Sequence, residues 1–140
     1  VQMMSGAEDL VSVDDVGLSN RTEADGMAVA RMSAFVAEVM RPILSGIFTV
    51  SDDDLFRWLG KAMTTQGIRL EPSAAASFAG PGLIVNSQQG RAYLEDRGLA
   101  DRTAEATHVL WATGGAFVPE DQFRSFLARG GASDANRQQV

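Results

Sequence analysis

A chain of 140 residues, 45% hydrophobic and 21% charged, has the composition of one globular domain, which excludes collagen and wholesale disorder. Without cysteine there is no disulfide framework, no thiolate nucleophile and no cysteine-ligated zinc or iron–sulfur centre. Eighteen acidic against twelve basic residues gives a net charge of −6, and the scattered arginines form no basic patch that would point to nucleic acid or anionic lipid. No stretch approaches the roughly 18 apolar residues of a membrane-crossing helix. Residues 1–15 lack the charged start and apolar core of a signal peptide, so a cytoplasmic setting is expected.

Residues 1–20 read as a loop-rich, acidic opening, with Leu10-Val11-Ser12-Val13 its only strand-like piece. From Ala24 to about Leu44 the spacing predicts a core-facing helix, with Met32, Phe35, Val36, Val39, Met40 and Ile43 on one face and Arg31, Glu38 and Arg41 opposite. Pro42 should kink or end it. Ile47-Phe48-Thr49-Val50 is a β-branched and aromatic strand, and Ser51 has the offset of an N-cap with Asp54 three residues on. The helix that follows groups Leu55, Phe56, Leu59, Ala62 and Met63 on one face, with Gly67 as its C-cap. Ile68-Arg69-Leu70 is a further short strand, and Pro72 opens an alanine-rich helix.

Between Gly80 and Thr107 the pattern is ambiguous, with one helix around Arg91 to Arg97. Val109-Leu110-Trp111-Ala112 is a continuous apolar run, as expected of a strand covered on both faces. Pro119 begins a last helix with Phe123, Phe126 and Leu127 on one stripe. Residues 1–129 form the folded part, and residues 130–140 offer almost nothing to bury and read as a disordered tail. The repeated strand–helix order predicts an α/β fold, a partial three-layer sheet with flanking helices.

Thr113-Gly114-Gly115 ends the last strand, and in open α/β sheets ligands bind beyond the carboxyl ends of the strands. A hydroxyl there can bond a ring nitrogen, and two glycines let a cofactor approach the backbone; the same three residues also fit a plain turn. Asp25, before Gly26, reads first as an N-cap, and Glu71, before Pro72, reads equally as a helix-start acid or a site carboxylate. His108, the only histidine, reads as partly buried and structural, ahead of a base or metal ligand. Asp52-Asp53-Asp54 lies in a helix's first turn, where acids suit the dipole, so no metal site is assigned.

Four blocks taken together carry a resemblance: Arg21-Thr-Glu-Ala-Asp25-Gly-Met-Ala-Val-Ala30-Arg, Gly46-Ile-Phe-Thr-Val-Ser51-Asp, Gly67-Ile-Arg-Leu-Glu71-Pro-Ser73 and Thr107-His-Val-Leu-Trp-Ala-Thr113-Gly-Gly115. In order and spacing, over roughly Asp14 to Gly130, they resemble the C-terminal portion of the D-serine dehydratases. These are pyridoxal 5'-phosphate-dependent ammonia-lyases of the tryptophan-synthase-like fold type II.

The resemblance implies a cytoplasmic lyase that converts D-serine to pyruvate and ammonia by β-elimination. It implies that Thr113 faces the pyridine nitrogen with Gly114 beside it, and that Asp25, Gly26 and Glu71 lie in the shell around the cofactor. The family's Schiff-base lysine and glycine-rich phosphate loop have no counterpart in these residues, so no catalytic residue is assigned. Lys61, the sole lysine, falls on the solvent side of its helix. Both motifs are expected in a missing N-terminal part, a reading that the start at Val1 also fits, and the chain alone is expected to be inactive. L-serine and threonine dehydratases share the Ala-Asp-Gly and Phe-Thr-Val blocks, and a non-catalytic α/β binding domain is the other alternative.

Overall fold

The computed structural model describes residues 11–137, with side chains as far as residue 131. These residues fall into two compact units divided between Ile47 and Phe48.

In the first unit the long helix expected from Ala24 to Leu44 is reduced to α1, Ala34–Met40. Local hydrogen bonds explain the late start. The Val13 N–H donates to the Ala30 carbonyl at 2.9 Å and the Asn20 side-chain amide to the Ala28 carbonyl at 3.3 Å, so two carbonyls that would sustain an earlier helix are spent elsewhere. Ser33, in extended backbone, then caps α1 by accepting the Val36 N–H. The helix ends two residues before Pro42. Its expected core face is not buried within this unit: Ala37 is covered, whereas Phe35 is 73% and Ile43 67% exposed.

The second unit is built around α2, Asp52–Gln66, and α6, Glu120–Arg137. Ser51 accepts the Asp54 N–H at 3.3 Å, and Gly67 closes α2 at φ 64°, a left-handed conformation in which glycine meets no side-chain penalty. The apolar stripe points inward as its spacing predicts, with Leu55, Phe56, Leu59 and Ala62 buried. Leu59 and Ala62 join Leu70, Ala74, Ala75 and Phe123 in one core, with Trp58, Met63, Phe126 and Leu127 packed against it. Each fully buried Leu or Phe contributes about 1.5–3 kcal/mol. The Phe56 and Phe126 rings stack at 5.2 Å between centroids.

Gly130 belongs to this interface. A Cβ there would collide with the Phe56 carbonyl, so the missing side chain lets α6 lie against the backbone of α2. Helical backbone runs on past Gly130 to Arg137, through part of the segment whose composition suggests a tail. Residues 138–140 lie outside the described residues.

Between the two long helices run α3, Pro72–Ala75, with proline in its first turn; a 3-10 turn, Ala76–Ala79; α4, Gly80–Asn86; and α5, Gln88–Asp96. The ambiguous stretch is therefore mostly helical. Ser87 ends α4 and caps α5 through the Gly90 N–H at 2.9 Å. A Cβ at Gly90 would meet the Ile84 backbone, so the two helices touch at that glycine.

The expected α/β sheet is absent among the described residues, which contain no strand. Ile47–Val50, Ile68–Leu70 and Val109–Ala112 are non-helical but unpaired. A strand exists only through a partner's hydrogen bonds, and no described segment supplies a ladder to any of the three. The apolar run is correspondingly open rather than covered on both faces, with Val109 84% and Trp111 79% exposed.

Candidate functional site

Of the residues singled out by sequence, Thr113, Gly114 and Glu71 come together in the second unit. Leu70, fully buried, anchors the segment leading to Glu71, and Pro72 starts α3 immediately after it. Glu71 is thus fixed at a helix start. Its backbone N–H donates to the Thr113 carbonyl at 3.3 Å, while the Thr113 hydroxyl donates to Glu71 Oε1 at 3.0 Å. Backbone and side chain both tie the two segments.

Gly114 makes the turn with φ 74°. A Cβ there would sit inside the Glu71 carboxyl group, and one at Gly115 would strike the Arg69 carbonyl. Glycine is needed at both positions, at Gly114 for backbone conformation and for space and at Gly115 for space. The Gly115 N–H returns to the Thr113 carbonyl at 2.9 Å and opens a 3-10 turn, Gly115–Phe117.

Arg69 was not among the expected site residues, yet it clamps this turn. Its guanidinium donates to the Gly115 carbonyl at 2.8 Å, the Val118 carbonyl at 2.7 Å and Glu120 Oε2 at 2.8 Å, and it lies 4.0 Å from the centre of the Phe123 ring. Its hydrogen-bond partners are 46 to 51 residues away in sequence, so no local pattern announces it. Hydrogen bonds from Arg69, and then from Arg124, hold the Glu120 carboxyl below the usual carboxylate range.

Ser73, two residues after Glu71, has a buried hydroxyl with no hydrogen-bond partner. A buried polar atom without a partner is uncommon and suits a site that takes a polar ligand. The exposed Thr113 hydroxyl, the Glu71 carboxylate and the side-chain-free surface of Gly114 can together hold the edge of a planar, nitrogen-bearing ring.

Asp25 and Gly26 belong to the first unit. They open a 3-10 turn, Asp25–Met27, in which Asp25 Oδ1 accepts the Gly26 N–H at 2.9 Å. Asp25 is therefore not the cap of the long helix; that position is held by Ser33. Both Asp25 and Gly26 are exposed.

His108 is exposed instead of partly buried. It lines an open, mainly apolar depression of about 380 Å³ with Ile84, Tyr93, Leu94, Leu99 and Arg102, none of which belongs to the Thr113 turn. Lys61 is exposed on α2, 5.4 Å from the centre of the Trp58 ring. Among the described residues no group of three His, Asp or Glu side chains could hold a metal ion, and no helix is long and apolar enough to cross a membrane.

No family model matches the chain. A probable D-serine dehydratase of Sinorhizobium medicae is 68% identical over 127 residues, 91% of this chain and 29% of that protein. Probable D-serine dehydratases of Rhizobium leguminosarum and Paracidovorax citrulli are 58% and 52% identical over 127 and 130 residues, again 29% of their lengths. The chain spans less than a third of the curated relatives that it matches. At 52–68% identity across about nine-tenths of its own length, the chain is similar to a stretch that makes up 29% of these probable D-serine dehydratases.

Proposed function

We propose that the chain forms one wall of a pyridoxal phosphate site in a cytoplasmic enzyme that eliminates ammonia from D-serine to leave pyruvate. The observation that carries this reading is the 68% identity to a probable D-serine dehydratase over nearly the whole chain. The cluster supports it chemically. Bound pyridoxal phosphate supplies an electron-withdrawing ring that acidifies the substrate's α-proton.

Thr113 is the residue assigned to the pyridine nitrogen. Gly114 leaves room for the ring edge, and Glu71 provides the polar group behind it. Asp25 and Gly26 remain candidates for the cofactor's surroundings through their Ala-Asp-Gly block. The wall orients and excludes water; it donates no nucleophile. Lys61, the only lysine of the chain, is exposed on α2, so the covalent anchor of the cofactor is assigned to a segment outside these 140 residues. That segment and D-serine are the partners of this reading.

A hybrid tests it. The 127 matched residues of the Sinorhizobium relative are replaced by those of this chain, and pyruvate is measured with D-serine and with L-serine. Pyruvate from D-serine that depends on added pyridoxal phosphate is the expected result. A folded hybrid that turns over L-serine in preference, or retains no cofactor while the parent does, would overturn it.

A further inference from the structure

Asp25 is the one aspartate of this sequence that precedes glycine, and no asparagine does. The pair opens the 3-10 turn Asp25–Met27, none of whose residues is buried, and both Asp25 and Gly26 are exposed. Asp25 Oδ1 accepts the Gly26 N–H at 2.9 Å, so the carboxyl group lies beside the backbone nitrogen of the next residue. Two hydrogen bonds hold the turn, from the Met27 N–H to the Ala24 carbonyl at 2.9 Å and from the Ala28 N–H to the Asp25 carbonyl at 3.1 Å. A single exposed turn opens at little cost, and glycine, lacking a Cβ, then reaches backbone conformations that other residues close off. The remaining candidates are placed differently. Asp52, Asp53 and Asp54 open the long helix α2, and Asp54 is engaged by Ser51 and Arg57. Asn86 and Asp96 end α4 and α5 and precede Ser87 and Arg97, whose side chains crowd the nitrogen that follows.

We infer that Asp25–Gly26 is a site of spontaneous covalent ageing, at which the aspartate rearranges to isoaspartate through a cyclic imide. The Gly26 nitrogen forms a bond to Cγ of the protonated Asp25 carboxyl; the carboxyl hydroxyl leaves and takes the nitrogen's proton with it as water. The product is a five-membered ring of that nitrogen with Cγ, Cβ, Cα and the main-chain carbonyl carbon of Asp25. One water then adds back. At Cγ it restores aspartate, and at the main-chain carbonyl carbon it breaks the original peptide bond and leaves Gly26 joined through the side chain. No oxidant or reductant enters. The backbone is then one carbon longer, and the carbonyl that accepted the Ala28 N–H has become a free carboxylate off the main chain, so the turn cannot re-form as before. Such a carboxylate on an exposed segment is the group that an isoaspartyl methyltransferase esterifies from S-adenosylmethionine, and an enzyme of that class is the partner this site fits.

The test ages the full chain in mildly acidic buffer and maps its peptides by mass. The peptide that holds Asp25 should first lose one water and then regain it, and the regained form should accept a methyl group from isoaspartyl methyltransferase and S-adenosylmethionine. Gly26 has no positive φ, so alanine fits the backbone of the turn, and Gly26→Ala should form the imide roughly 5- to 30-fold more slowly, the rate equivalent of the about 1–2 kcal/mol by which a Cβ disfavours conformations open to glycine. Asp25→Glu, which would need a six-membered ring, should abolish methyl acceptance in this peptide. An aged chain with no isoaspartate at residue 25 would overturn the inference, whether or not Asn86 or another residue is modified. So would Gly26→Ala that ages at the rate of the unsubstituted chain.

Discussion

The Thr113 hydroxyl and the Glu71 carboxylate, 42 residues apart in the chain, meet at 3.0 Å and are tied again by the Glu71 N–H to the Thr113 carbonyl. Thr113→Ser keeps the oxygen and should stay close to the unsubstituted protein. Thr113→Ala leaves Glu71 without its hydroxyl partner and, under the proposed assignment, leaves the ring nitrogen without its own. A buried polar group that loses its hydrogen bond costs about 1–3 kcal/mol, so the hybrid should bind pyridoxal phosphate roughly 5- to 150-fold more weakly. Cofactor titration followed by absorbance measures this, and alanine equal to threonine would reduce Thr113 to a turn residue.

Gly114→Ala combines two penalties, a left-handed backbone at φ 74° and a methyl group placed inside the Glu71 carboxyl. The backbone strain alone is about 1 kcal/mol or more for a residue with a Cβ. In denaturant melts of the chain, Gly114→Ala should lose more than that. The pair Gly114→Ala with Glu71→Ala should recover the steric part and retain the backbone part, a coupling between neighbours that a double-mutant cycle reads directly.

Arg69→Lys should behave as a disruptive change despite keeping the charge. The three hydrogen bonds to Gly115, Val118 and Glu120 need a planar fork, and a single ammonium cannot reproduce them over the Phe123 ring. A loss of about 1.5–3 kcal/mol is expected, the size of one hydrogen bond to a charged group. Hydrogen exchange at the Gly115 amide should accelerate in the same variant. A melt and an exchange rate equal to those of arginine would show that the turn holds itself.

Gly130→Ala and Gly131→Ala should shift stability in opposite directions although the residues are adjacent in α6. A Cβ at Gly130 meets the Phe56 carbonyl and must push the helices apart, at about 1–3 kcal/mol. Gly131 has nothing within 4 Å, so alanine there gains helix propensity, about 0.5–1 kcal/mol. Thermal melts of the two variants decide it. Stabilisation by both would mean that α6 does not lie against α2 at Gly130.

Acid should loosen the Arg69 clamp. The Glu120 carboxyl is held below its ordinary range by Arg69 and Arg124 in the fold, so it favours the folded state at pH above the usual carboxylate value and loses that contribution as the pH falls through the lowered one. Asp15 in the first unit behaves alike, held down chiefly by the Ser12 N–H and then by its hydroxyl. Melting temperature should therefore drop on going from pH 6 to pH 3, and by less in Glu120→Gln. An equal drop in both would show that Glu120 carries none of it.

Local chemistry alone made several features legible. Ser51 as N-cap, Gly67 as left-handed C-cap, Pro72 at a helix start and the buried stripe of α2 each depend on residues within one or two turns of one another. Thr113, Gly114 and Glu71 were legible as candidates from their places at a segment end and a helix start and from the family resemblance, yet only the fold joins Glu71 to Thr113. Arg69 left no trace in the sequence, because a guanidinium's partners are chosen by the path of the backbone 46 to 51 residues later.

The sheet shows the reverse error. Residues 47–50 and 109–112 have the composition of strands, but composition states only a preference for a covered, pleated surface, and a ladder needs a second segment to answer it. Helix length in the first unit was decided the same way: apolar spacing favours a helix through residues 28–32, and the Ala28 and Ala30 carbonyls are bonded to Asn20 and Val13 instead. Local sequence was enough for the Ser51 and Gly67 caps of α2 and the proline start of α3, but not for the Ser33 cap of α1. Tertiary structure decided which hydrogen-bonding groups are free to extend an element and which are already taken, because that depends on contacts between residues far apart in the chain.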